Sequence, residues 1–180
     1  MFELVAKVRK VSGFLIFYAI VFVSINHTAI YASTEEQKFW TGLEGEFENP
    51  QVDTTASGMA VFKVSQDSIW YLINVTSIDK VTASHIHGGA LGENGPILAS
   101  LYRTNDNFTG NINGTLTQGN ITDQTLEGQA GASGQLSDIV SGMKNGTTYV
   151  DVHTIDYPAG ELRGQIMSAN STHAESMMGE

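Results

Sequence analysis

Cysteine is absent from the 180 residues, proline occurs three times, and nine basic side chains stand against 19 acidic ones. Without cysteine there is no disulfide, iron–sulfur cluster, thiolate zinc site or thiol nucleophile. Any metal must therefore sit on histidine, carboxylate, methionine or backbone oxygen. The scarcity of Lys and Arg leaves a net charge of −10, which repels the phosphate backbone and excludes a nucleic-acid partner. Anionic membrane surfaces are disfavoured for the same reason. Also missing are a Gly-x-Ser-x-Gly nucleophile elbow, a glycine-rich phosphate loop opening a helix, and any long amphipathic helix. The chain is nonetheless 41% hydrophobic, enough to build the core of one domain at this length.

The apolar content begins at the N-terminus. Lys7, Arg9 and Lys10 precede the run Phe14 to Val23, and the small residues Ala29 and Ala32 follow. A charged start, a short apolar stretch and a small-residue exit mark a secretory signal peptide. Residues 1–32 are read that way, with an uncleaved N-terminal anchor as the alternative, since the run extends toward the roughly 20 residues that span a bilayer. Both readings export the remainder to the cell surface or beyond, and the anchor reading makes this segment the chain's one membrane contact. Removing residues 1–32 takes away three bases and Glu3, leaving six basic and 18 acidic side chains and a net charge of −12.

Beyond Gln37, short apolar runs alternate with Gly, Asn, Asp and Ser. Val61–Val64, Ser68–Val75, Pro96–Tyr102 and Thr148–His153 are rich in β-branched and aromatic residues, as strands are. Glycine-containing turns such as Glu93-Asn94-Gly95 and Lys144-Asn145-Gly146 separate them. This spacing predicts an all-β antiparallel sandwich or barrel over residues 37–168, followed by a flexible tail, 169–180. Leu136, Ile139, Val140 and Met143 have helical spacing and predict one short helix ending near Asn145-Gly146.

Seven of the 11 asparagines open an Asn-x-Thr triplet, against about one expected from the 17 threonines. For an exported chain this pattern points to N-glycosylation, with Asn107, Asn113, Asn120 and Asn145 the candidates and Asn74, inside a strand, the least accessible. Asparagine and threonine are also simply favoured in turns and at strand edges.

Three histidines fall in strand-like sequence. Alternate residues of a strand share a face, so His85 and His87 point together while Ile86 points into the core. In the same way Tyr149, Asp151 and His153 share a face opposite Val150 and Val152. If the two strands are neighbours, three imidazoles converge. Neutral imidazole suits copper, zinc, iron or nickel; copper is the first choice for an exported chain without thiolates, and zinc the second. Asp151 could orient a ligand imidazole from behind. The ordinary reading of a histidine on a strand is a polar face residue that binds nothing. Glu161 and Arg163 alternate on one strand and read as partners of a neighbour across the sheet in an ordinary surface ion pair worth about 0–1 kcal/mol, or, for Arg163, as an anion attractor beside a metal. His173, Met177 and Met178 offer soft donors in the tail.

The flanks of these histidines carry a resemblance. His85-Ile86-His87-Gly88-Gly89-Ala90, Gly95-Pro96-Ile97, Tyr149-Val150-Asp151-Val152-His153-Thr154 and Pro158-Ala159-Gly160-Glu161-Leu162-Arg163-Gly164-Gln165-Ile166 resemble the chordin-type (CHRD) domain family. Leu43-Glu44-Gly45 and Ala56-Ser57-Gly58-Met59-Ala60 resemble its opening strands. The resemblance spans about Phe39 to Met167. It implies a secreted or cell-surface, immunoglobulin-like antiparallel β-sandwich with extracellular proteins as partners.

A narrower similarity is to copper/zinc superoxide dismutases, which hold copper on a His-x-His strand and a later strand histidine. His85, His87 and His153 correspond in order and type, and Arg163 falls where an anion-guiding arginine stands in those enzymes. No histidine lies between His87 and His153, so the imidazole that would bridge to zinc has no counterpart. Three readings follow: a copper-binding surface protein, a copper-only dismutase-like enzyme with Arg163 guiding the anion, and a structural or adhesive module without metal.

Overall fold

The computed structural model describes residues 36–104, 110–127 and 135–169. The expected leader (1–32), Asn107 and all of the expected tail except Ala169 lie outside them. The described part is built on nine strands: β1 Gln37–Glu44, β2 Ser57–Val64, β3 Ile69–Asp79, β4 Val81–Gly88, β5 Ile97–Arg103, β6 Asn111–Ile121, β7 Thr148–Thr154, β8 Leu162–Gln165 and β9 Met167–Ser168. They form one antiparallel sheet in the order β5-β4-β7-β8-β1-β2-β3-β6, with β9 beside β1. The all-β fold expected from the sequence is therefore present.

Alternation drives the folding. In β3, Ile69, Tyr71, Ile73 and Val75 are buried while the residues between them are half-buried. Ile86, Val150 and Val152 from the histidine strands join the same core. Fully burying such a side chain contributes roughly 1.5–3 kcal/mol. The sheet wraps until its two outer strands nearly meet. The Tyr71 hydroxyl donates to the Leu101 carbonyl at 2.8 Å, and the Thr117 hydroxyl reaches the same oxygen at 3.3 Å. Side chains thus bridge the seam between β5 and β6.

The expected helix is α2, Leu136–Asn145, with Leu136, Ile139 and Met143 buried. Gly146 ends it at φ 66°, a left-handed conformation that glycine adopts without steric cost. A five-residue helix that the pattern did not announce, α1 Asp123–Glu127, precedes it. Its Asp123 accepts the Leu136 amide at 2.8 Å, satisfying one of the free donors at the start of α2.

Candidate metal centre

Strands β4 and β7 are hydrogen-bonded neighbours, with His85 opposite Asp151, His87 opposite Tyr149 and Ala83 opposite His153. The register of β4 against β5 shifts on both sides of His85-Ile86, between Ser84 and His85 and between Ile86 and His87. Such irregularities re-aim side chains locally. As the alternation predicted, the three histidines share the face opposite Ile86, Val150 and Val152.

The donor atoms converge. Those of His85, His87, Asp151 and His153 lie within 4.8 Å of one another. His85 Nδ1 is 3.1 Å from His153 Nε2. Asp151 Oδ1 stands 2.9 Å from His153 Nε2 and 3.8 Å from His85 Nδ1, and its Oδ2 is 3.1 Å from His87 Nε2. Asp151, expected behind a ligand, is thus among the donors, facing all three rings.

Backbone carbonyls fix the orientation of two rings. His87 Nδ1 donates to the Gly95 carbonyl at 2.9 Å and His153 Nδ1 to the Pro158 carbonyl at 3.1 Å. A carbonyl only accepts, so both Nδ1 atoms carry hydrogen and the neutral rings turn their Nε2 lone pairs toward Asp151. Despite this proximity, His87 Nε2 and Asp151 Oδ1 are buried with no partner of hydrogen-bond geometry. Lone pairs facing a buried carboxylate are electrostatically unfavourable, and either a proton on the ring or a bound cation relieves this. A divalent metal would satisfy all four groups, and the donor set fits one.

The charges respond to this crowding. Burial opposes the charged form of His87 and His153, but the Asp151 carboxylate outweighs it and raises both above the usual histidine range. Burial would likewise raise Asp151; the three imidazoles that face it reverse this and hold it well below the usual carboxylate range.

Three loops turn this nominally polar face into an interior. The connection from β1 to β2 contributes Glu48 and Asn49, the connection from β4 to β5 contributes Glu93, Asn94 and Gly95, and the connection from β7 to β8 contributes Pro158 and Gly160. Asn49 and Asn94 tie the first two together through Nδ2 donations to the Gly92 and Asn49 carbonyls, at 2.7 and 2.8 Å.

Glu48 was not singled out by its sequence, where Glu46-Phe47-Glu48-Asn49-Pro50 reads as a charged surface loop. It is 8% exposed, and its Oε1 has no hydrogen-bond partner. Burial, followed by repulsion from Asp151, pushes its pKa up to about 7 against the opposing pull of Arg163 and His153. Gly160, at φ 132°, packs so closely that a Cβ would stand 2.3 Å from Glu48 Oε1. An open pocket of about 190 Å³ lies between Glu48 and the Tyr157–Gly160 segment. A hollow of about 790 Å³ beside α2 is lined by none of the three histidines.

Neither Glu161 nor Arg163 stands in the surface ion pair expected of it. Both side chains are buried, because the loops and β1 cover this part of β8. Glu161 accepts the hydroxyls of Thr54 and Thr154 at 2.7 and 2.8 Å, whereas Arg163 is 1% exposed and donates to the β4–β5 loop. Among the sequon asparagines, Asn113, Asn120 and Asn145 are exposed, and Asn74 is half-buried with its Oδ1 accepting the Thr115 hydroxyl.

The CHRD domain family model matches residues 39–166. Chordin of Xenopus laevis is 28% identical over 148 residues, which cover 75% of this chain and 13% of that protein. The chain thus spans a small fraction of the length of the curated relative it matches. No solved structure matches it.

Proposed function

The chain belongs to the CHRD domain family, and from that premise we propose that it is an exported surface module whose domain, 37–168, holds one transition-metal ion. His85, His87 and His153 are the nitrogen ligands and Asp151 adds an oxygen. The observation that carries this reading is the convergence of four donors within 4.8 Å, two of them buried atoms without hydrogen-bond partners.

Copper is the first choice and zinc the second. Imidazole suits both, and the affinity order of divalent ions puts Cu(II) highest. The four donor residues have little contact with solvent, which favours holding an ion over turning over a substrate, since catalytic sites keep a position open. The role is extracellular copper handling, or an interaction with other extracellular proteins for which the metal stiffens the surface. Residues 1–32 serve as the leader. The exposed asparagines at 113, 120 and 145 are acceptors for glycan in a host that has the transferase, as is Asn107.

Titrating the purified protein with Cu(II) tests the proposal. Saturation near one equivalent is expected, with loss of uptake in His87→Ala and His153→Ala. Undiminished uptake in both variants would overturn it.

A further inference from the structure

Among the described residues Arg163 is one of the largest fully buried side chains. Burying a cation costs several kcal/mol unless its surroundings compensate. In register it stands opposite Asp151, but its donors turn to the loop between β4 and β5. One terminal nitrogen donates to Asn94 Oδ1 at 2.8 Å, and the other to the Glu93 carbonyl at 2.7 Å and, more weakly, to that of Ala90 at 3.5 Å. Asp151 is thereby left to the histidines.

Two physical routes lead from this guanidinium to His87. The first is a stack. Arg163 lies 3.5 Å from the centroid of the Tyr149 ring, and the same ring stacks on His87 at 5.1 Å with an interplanar angle of 15°. The second is the loop. Its Gly95 amide donates to the Tyr149 hydroxyl at 3.2 Å, while its Gly95 carbonyl is the acceptor that sets the His87 ring. The loop is pressed so tightly onto β4 that a Cβ at Gly95 would fall 1.6 Å from the Gly88 carbonyl oxygen.

We infer that Arg163 is a positioning residue for the metal centre: through Tyr149 and the Gly95 carbonyl it holds the His87 ring with Nε2 aimed at Asp151. The inference rests on the metal-binding reading above. Groups that orient a ligand from outside typically carry a 10–100-fold effect on metal affinity. The role differs from attracting anions, which would need a guanidinium open to solvent.

The test uses Arg163→Lys, Tyr149→Leu and Asn94→Ala, each followed by thermal melting, by the NMR shifts of the His87 ring protons in metal-free protein, and by Cu(II) affinity. Asn94→Ala alters an exposed side chain and serves if the buried substitutions prevent folding. Folded variants are expected to lose the upfield ring-current shift that Tyr149 imposes on His87, and Arg163→Lys to weaken Cu(II) binding by roughly 10–100-fold. Asn94→Ala is expected to move both readouts the same way by less. Folded variants with wild-type His87 shifts and wild-type Cu(II) affinity would overturn the inference. If the wild type takes up no Cu(II), the metal reading fails, and the His87 shifts alone decide whether Arg163 positions the ring.

Discussion

His85 Nδ1 and His153 Nε2 lie 3.1 Å apart across the β4–β7 pair, although 68 residues separate them in the chain. Asp151 Oδ1 stands 2.9 Å from the second of these nitrogens and 3.8 Å from the first. His85 is held by β4 and both Asp151 and His153 by β7, so the convergence is a property of the sheet. Several consequences can be measured.

Asp151→Asn removes the negative charge that the three imidazoles face. In metal-free protein, the main opposition to burial at the rings would then be gone, so the NMR titration midpoints of His87 and His153 should fall below their wild-type values. Cu(II) affinity should drop by about 10-fold or more. Midpoints that stay in place would show that the carboxylate does not govern the rings.

Glu48 makes stability depend on pH in a definite direction. Its folded pKa of about 7 lies above the ordinary glutamate value of about 4.5. Between these values the folded state binds more protons than the unfolded state, so stability contributed by the protonated form is lost as pH rises through about 7. Glu48→Gln should therefore raise Tm at pH 8 and change it little at pH 4, as differential scanning calorimetry of metal-free protein would record.

Gly160→Ala combines a φ of 132° with a Cβ placed 2.3 Å from Glu48 Oε1. Backbone strain and a clash with a buried carboxyl should together cost about 2–4 kcal/mol. Urea unfolding curves should show a lower midpoint at unchanged slope.

Tyr71→Phe removes the hydroxyl that donates to the Leu101 carbonyl across the seam between the outer strands. Losing this buried hydrogen bond should cost about 1 kcal/mol. Hydrogen exchange should accelerate more in β5 than in β7, because β5 lies at the outer end of the sheet and β7 is paired on both sides.

Much of the fold could be read locally. Ile69 to Val75 alternates as a half-buried strand must, and Leu136 to Met143 repeats as a packed helix must. Strand β6, Asn111–Ile121, was not announced, because as an outer strand it is paired only with β3 and its exposed residues are mostly Asn, Gly, Thr and Gln. An edge strand needs no continuous apolar pattern, so composition makes it look like loop. Helix α1 escaped for a related reason: five residues are too few for a periodicity to appear.

At the centre, the division follows the range of the interactions. The sequence by itself determined that His85 and His87 share a face, that Asp151 and His153 share another, and that Ile86, Val150 and Val152 turn inward, because the alternation of a strand is local geometry. The tertiary structure alone decided that these two faces are one, through the pairing of β4 with β7. It also decided that Asp151 stands among the rings, that Arg163 is buried against Tyr149, and that Glu48 from the β1–β2 loop lies beside them. Burial, charge repulsion and hydrogen-bond direction at this centre arise between segments tens of residues apart, and no local pattern of side chains encodes which distant loop will close over a strand.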